Sequence, residues 1–156
     1  MPIYIRKAVS EDARKVAALI EHYWRFEQIA GFDLERTTDV LANLLKQPER
    51  GAVWLASDGV NAVGYLALAL VFSIEGGGVI AEIDEFYILE SYRGHGAGTR
   101  LLEAAETYAV KAGCRRIGLQ ISRHNTIARA FYSGRRYIPR SSYDLLQKTL
   151  GNPQQI

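Results

Sequence analysis

The sequence predicts an α/β protein built on a mixed sheet. Three observations predict it. Runs with strand character trade places with runs whose apolar residues recur every three or four positions. Three strand-like runs, 51–57, 62–74 and 79–89, follow one another with only turns between them. A strand, a glycine-rich loop and a helix then succeed each other from 79 to 112. The 156 residues suit one domain over 1–156, because domains centre on about 100–150 residues.

The elements follow in order. "IYIRKA" at 3–8 alternates and reads as an edge strand. "SEDARKVAALIEHYW" reads as a helix with Ser10 as N-cap and acids in its first turn, both favourable at a helix start. Its apolar residues Val16, Leu19, Ile20 and Tyr23 share a face. A second helix is expected from Thr37 to Lys46, before Pro48. "GAVWLAS" and "AVGYLALALVFSI" are strands separated by the turn "DGVN". "GGG" at 76–78 precedes the strand "VIAEIDEFYIL". The helix "TRLLEAAETYAVKA" follows the glycine loop and stops at Gly113, a residue suited to the left-handed position past a helix end. "RIGLQIS" is a strand, "NTIARAFYS" a short helix and "SSYDLLQKTL" a closing strand, with one more short strand near Tyr137.

Composition bounds the function. A single cysteine, Cys114, forbids an intramolecular disulfide. The start has no apolar signal core and no run is long enough to span a membrane, so a cytoplasmic chain without membrane partners is expected. From 107 to 143 there are eight basic residues and no acid, whereas 51–92 holds six acids and no Lys or Arg. Such segregation pairs an anion-seeking segment with a cation-tolerant one. No nucleic-acid signature accompanies the basic segment, and nucleic acid is not expected as a partner. His22, His95 and His124 lack metal-ligand spacing, so no metal is expected.

The stretch "ESYRGHGAGTRLL" carries most of the chemistry. Gly94, Gly96 and Gly98 alternate between a strand and a helix. A helix start offers unpaired N–H groups and the positive dipole end, where phosphates bind. Glycine leaves that backbone bare and permits positive φ. Two common phosphate loops fit badly. A P-loop ends in Gly-Lys-Ser/Thr; here Gly98 is followed by Thr99 and Arg100. A dinucleotide loop places its third Gly where Thr99 stands and needs an acid about 20 residues on; no acid lies between Glu106 and Asp144.

"YRGHGAGTRLL" resembles the acetyl-CoA signature of the GNAT superfamily of N-acetyltransferases, in which Arg or Gln leads a loop closed by two spaced small residues. "NTIARAFYSGRRY" resembles the family's second signature through Asn125, Ala128, Phe131 and Tyr132. The opening "IRKAVSEDA" is similar to the family's beginning, so the resemblance spans nearly the whole chain. One departure stands out. Arg136 holds the position of a family Gly and Gly134 comes early, which predicts an altered turn after the last helix.

The resemblance implies a mixed, largely antiparallel GNAT-like sheet with splayed central strands and helices on both faces. It implies acetyl-CoA as acyl-donor cosubstrate, with pyrophosphate on the loop formed by Arg93, Gly94, His95, Gly96, Ala97, Gly98 and Thr99. Pantetheine is expected along the backbone of Phe86, Tyr87 and Ile88, with Asn125 as a further contact. Arg100 or Arg129 suits the 3′-phosphate by charge. Tyr132 is implied as the donor to the departing thiolate, and Glu82 as the base, with Asp84 next and Glu85 a third candidate. Strict alternation along the strand puts Glu82 and Asp84 on one face and Glu85 on the other. A bulge near Tyr87 is expected to free an oxyanion donor.

The family builds its acceptor site partly from the first two helices. Here that region carries Glu21, Glu27, Asp33 and Glu35 among aromatics. A small cationic amine, polyamine-like or aminoglycoside-like, is therefore the expected acceptor. Protein or peptide amines are the alternative acceptors, and a non-catalytic acyl-CoA sensor is the alternative activity. Dimers are common in the family, which makes a homodimer the expected assembly if one forms.

Overall fold

Five strands form one sheet in the order β1-β2-β3-β4-β5. A computed structural model describes residues 2–151. Its strands are β1 (Tyr4–Lys7), β2 (Gly51–Ser57), β3 (Ala62–Ser73), β4 (Gly78–Ile88) and β5 (Ile117–Leu119). Helices are α1 (Ala13–Phe26), α2 (Leu34–Leu44), α3 (Ala97–Lys111) and α4 (Thr126–Ser133). The first four strands pair antiparallel and β5 pairs parallel to β4, so the sheet is mixed as expected. The chain divides into two compact units, 1–120 and 121–156.

In the first unit the sheet is covered on both faces. Val53 and Leu55 of β2 and Tyr65 and Ala67 of β3 pack with Val16, Ala17 and Ile20 of α1. Their neighbours on the strands turn the other way. Trp54 pairs in register with Leu66, and its ring meets Tyr108 of α3 at 5.3 Å. A strand buried on both sides reads as a continuous apolar run, which is why "GAVWLA" shows no alternation. Leu101, Leu102, Ala105 and Ala109 of α3 are buried. Each such Leu contributes about 1.5–3 kcal/mol.

Helix starts depart from the sequence reading for local reasons. Ser10 makes no capping bond; residues 10–12 form a single 3₁₀ turn and α1 begins at Ala13. Asp12 holds that corner. Its carboxylate accepts two bonds from Arg6, each 2.7 Å, and one from the Val9 N–H at 2.9 Å. α2 starts three residues early because Asp33 accepts from the Arg36 N–H at 2.7 Å and caps it.

The Asp12 clamp has a pH signature. Hydrogen bonds from Arg6 hold its pKa down at about 2, from an ordinary 3.8. A shift of that size is worth about 2.4 kcal/mol by linkage. Arg6 is 55% exposed, so solvent screening reduces this to about 1–2 kcal/mol. A depressed carboxylate stabilises above its unfolded pKa and loses that contribution as pH falls through the folded one. Asp12→Asn should therefore unfold about 1–2 kcal/mol more easily at pH 7, with the gap to wild type closing toward pH 2. Denaturant titrations at both pH values measure it; a gap that persists in acid would refute the ionic origin.

The second unit holds α4 and the segment after it. Residues 134–150 contain no strand among the described residues, which corrects the expected strands near Tyr137 and at 141–150. Tyr143, Leu145, Leu146 and Leu150 are all exposed. A strand needs a partner ladder, and no strand occurs among the described residues of this unit. No helix among the described residues is long and apolar enough to cross a membrane.

Candidate active site

The carboxylate strand differs from strict alternation. Ala67 of β3 faces Glu85 and Leu68 faces Ile83, so Asp84 is an extra residue, a β-bulge. Glu82 faces Ala69. Ala67 and Ala69 lie two apart, so Glu82 and Glu85 share the face that α1 covers. The expected division, with Glu85 opposite Glu82 and Asp84, is corrected: the inserted residue shifts the period by one. The bulge sits at Asp84 rather than near Tyr87, which pairs regularly with Tyr65.

That shift delivers Glu85 to a clamp. Trp24 Nε1 of α1 donates to its Oε1 at 2.8 Å, and the Tyr65 hydroxyl donates to its Oε2 at 2.8 Å. Burial pushes the Glu85 pKa up, against these two donors that favour its charged form. Asp84 still meets solvent, yet the protein around it displaces enough water to raise its pKa too. Burial and the nearby carboxylates push Tyr23 up to about 12, so it stays a protonated phenol. Glu82 is exposed.

An aromatic wall adjoins the clamp. The Tyr87 ring lies 5.9 Å from both Tyr23 and Phe26 of α1. The Arg93 guanidinium rests 5.1 Å from the Phe26 ring centre and 5.3 Å from that of Tyr87, while its Nε donates to the Ile88 carbonyl at 2.9 Å. Arg93 thus ties the glycine loop to β4 and α1 through cation–π contacts. Most acids expected to attract a cation are otherwise engaged. Glu21 pairs with Arg25, Glu35 pairs with Arg14, and Asp33 caps α2.

The glycine loop has the backbone that an anion cradle needs. Gly94 has φ 78° and Gly96 φ 82°, and a Cβ on either would meet nothing within 4 Å. Glycine is required here by conformation, not by crowding. Gly96 is the N-cap of α3, and the first intrahelical bond runs from the Arg100 N–H to the Gly96 carbonyl at 3.1 Å. The amides of the first turn have no carbonyl four residues back within the helix. Ala97, Gly98 and Thr99 occupy that turn, with His95 exposed just before it. Tyr92 anchors the loop's leading turn by donating to Asp58 at 2.7 Å. Arg100 donates to the Ile3 carbonyl, which commits one arm of a residue expected at the 3′-phosphate.

Beside the loop the sheet opens. β5 pairs with β4 only through Ala81, Glu82 and Ile83. Past the bulge, no strand among the described residues continues β5 alongside Phe86, Tyr87 and Ile88. This is the splay the sequence led us to expect.

In the second unit, Asn125 caps α4, its Oδ1 accepting from the Ala128 N–H at 3.0 Å. Its Nδ2 donors remain to meet a ligand. Tyr132 is 7% exposed, with edge-on neighbours Phe131 and Tyr137 each 5.2 Å away. Arg136 has φ 67°. It takes the left-handed backbone a glycine would favour, at roughly 1–2 kcal/mol. The turn therefore keeps a glycine-like backbone despite the substitution.

Comparison with known proteins decides the family. The model of the acetyltransferase (GNAT) family matches residues 16–135. The chain belongs to the GNAT family. An uncharacterized N-acetyltransferase, YhfO of Bacillus subtilis (strain 168), is 31% identical over 133 residues, covering 85% of this chain and 88% of that protein. Two solved structures share the fold. AAC(6′)-Iy in complex with the bisubstrate analogue CoA-S-monomethyl-acetylneamine has a TM-score of 0.83 at 16% identity, covering 96% of this chain and 100% of that one. An aminoglycoside acetyltransferase, meta-AAC0020, from an uncultured soil sample and in complex with sisomicin, has a TM-score of 0.81 at 18% identity, covering 96% and 97%.

This GNAT chain is accordingly an acetyl-CoA-dependent acetyltransferase. Loop and opened strand fit that donor: bare amides at a helix start suit a pyrophosphate, and an open strand edge suits an extended arm. Among the described residues no group of three or more His, Cys, Asp or Glu side chains could hold a metal. Sequence reasoning missed the Glu85 clamp and the stacking of Arg93. Both depend on α1 crossing β4, a long-range contact that strand periodicity does not encode.

Proposed function

We propose that this chain transfers the acetyl group of acetyl-CoA to the primary amine of a small cationic acceptor, polyamine-like or aminoglycoside-like. The observation that carries the reading is the pairing of Asp84 and Glu85 at the bulge beside the wall of Tyr23, Phe26 and Tyr87. The carboxylates attract an alkylammonium, and the aromatic wall borders them, with Phe26 and Tyr87 already carrying the Arg93 guanidinium. The aminoglycoside complex of a fold neighbour is consistent with that acceptor class.

In this reading the amides of His95 to Thr99 hold the pyrophosphate, with Arg93 and Gly94 shaping the entry. Pantetheine adds along Phe86, Tyr87 and Ile88 in the manner of an extra strand, and Asn125 contributes Nδ2. A free alkylamine has a pKa near ~10.4 and must lose a proton before it attacks. One carboxylate among Glu82, Asp84 and Glu85 takes it. The amine nitrogen then bonds to the thioester carbonyl carbon, the C–S bond breaks, Tyr132 gives its phenolic proton to the thiolate, and the second proton leaving the nitrogen restores the Tyr132 phenol. Products are an N-acetylated amine and CoA.

The test is thiol release from acetyl-CoA across a panel of polyamines, aminoglycosides and lysine or N-terminal peptides. Release that requires a small polycation is the expected result. Release with peptides alone would overturn the acceptor class. CoA binding without release for any amine would leave an acyl-CoA sensor instead.

A further inference from the structure

A cleft on the α1 face is lined by none of the residues assigned above to acetyl transfer. It encloses about 530 Å³ between α1, β1 and the turn joining β2 to β3. That volume falls within the roughly 300–1,000 Å³ of small-molecule sites. Its lining shares no residue with the glycine loop, with the Glu85 clamp or with the wall of Tyr23, Phe26 and Tyr87.

The cleft has a consistent chemistry. Lys15, Ala18, Leu19 and His22 of α1 line one side; at this spacing they form a single helix stripe. Leu55 and Leu89 supply further apolar lining, and Ser57 and Asn61 supply neutral polar groups. The charged lining is basic, from Arg6 and Lys15 with His22, and no Asp or Glu contributes. Arg6 is held by Asp12 through both guanidinium nitrogens. Lys15 is exposed; its charge is felt by the Asp12 carboxylate, but among the described residues no carboxylate lies within ion-pair distance of it.

We propose that this cleft binds a small organic monoanion, a carboxylate carried on an apolar body. Lys15 and His22 meet the carboxylate, and Ala18, Val60 and Leu89 meet the body. The donor set argues against a phosphate. Bidentate phosphate recognition uses an unspent arginine fork, and backbone recognition uses a helix N-terminus. Here the one arginine is occupied by Asp12, and the first turn of α1 lines the cleft through Lys15 alone. The one ammonium, Lys15, matches one negative charge, and the His22 ring adds a hydrogen-bonding group. The inference does not rest on the acceptor proposed above.

The experiment titrates octanoate into the full chain and follows backbone amide shifts by NMR, with octanol and inorganic phosphate as comparison probes. Expected are saturable shifts confined to α1 and the β2–β3 turn, with octanol and phosphate each binding at least tenfold more weakly. Lys15→Met keeps the apolar stem and removes the charge, and should weaken octanoate at least tenfold. Lys46→Met, at an exposed lysine outside the cleft, should not. Because Lys15 is exposed, folding of the variant is checked simply by its unchanged spectrum elsewhere. The proposal is overturned by any of four results: no saturable octanoate shift, equal affinity in Lys15→Met, phosphate binding as tightly as octanoate, or displacement of octanoate by CoA. Loss of acetyl transfer with octanoate binding intact would sink the acceptor reading alone.

Discussion

Gly96→Val should weaken CoA binding about a hundredfold in a protein that still folds. Gly96 sits at φ 82° as the N-cap of α3, and a Cβ there would meet no atom within 4 Å. The added Cβ itself therefore meets no crowding from the rest of the protein. Its effect is conformational. A β-branched residue resists positive φ, and holding it there costs about 1–3 kcal/mol. The loop relieves that strain by turning out of the left-handed region, and the amides of the first turn lose their common aim. Each charge-assisted bond to an anion is worth about 1.5–3 kcal/mol. Losing one or two gives about a hundredfold, since tenfold is 1.4 kcal/mol. Gly96→Ala, with a milder penalty, should fall between. Calorimetric titration with CoA reads the affinity and thermal unfolding reads the strain. Wild-type affinity in a folded Gly96→Val would remove the loop from CoA binding.

Much of this was legible in the sequence because it is local. The three glycines, the helix after them and the apolar runs of β2 and β3 declare themselves within a dozen residues. The turn at Arg136 differs: an arginine at a family glycine position predicts an altered turn, yet it adopts the positive φ that a glycine would favour. The bulge was also written in the sequence, but in a spacing that strict alternation overlooks. Ala81, Ile83, Phe86 and Ile88 are four apolar residues of β4 that share one face only if an extra residue lies in the three-residue gap between Ile83 and Phe86. An extra residue must lie there, and the register places it at Asp84.

What the sequence could not reveal is long-range. Trp24 reaches Glu85 across 61 positions and Tyr65 across 20. Nothing in either segment specifies the partner. The 141–150 segment failed for the opposite reason. Its apolar residues suit a strand, but strand propensity reflects fit to a neighbouring surface more than backbone preference. Its unit offers no strand among the described residues to pair with. Likewise the acids of the first two helices looked available for a cation until the fold gave Glu21, Asp33 and Glu35 partners of their own.

Glu85→Gln is the second large effect, and it separates the three carboxylates. Among them, Glu85 alone has both oxygens held by donors from separate elements, Trp24 on α1 and Tyr65 on β3. If it accepts the amine's proton, the substitution should lower kcat/KM for the amine by about a hundredfold or more, the usual range for a general base being 10²–10⁴. The KM for acetyl-CoA should stay within about twofold. Gln keeps the shape: its oxygen still accepts from Trp24, and its NH₂ can donate to the Tyr65 hydroxyl. Stability should change by less than about 1 kcal/mol. Glu85→Ala, by contrast, strands both donors at about 1–3 kcal/mol each, so loss of fold and loss of base can be told apart. The pH profile supplies an independent readout. Burial raises the Glu85 pKa, and the base works only when ionised. Wild-type kcat/KM should therefore climb along an acid limb displaced above the ordinary carboxylate range near 4.3, and that limb should vanish in Glu85→Gln. Full turnover in the variant, with the limb retained, would pass the role to Asp84, whose pKa is also raised, or to exposed Glu82. Asp84→Asn and Glu82→Gln then distinguish them by the same limb.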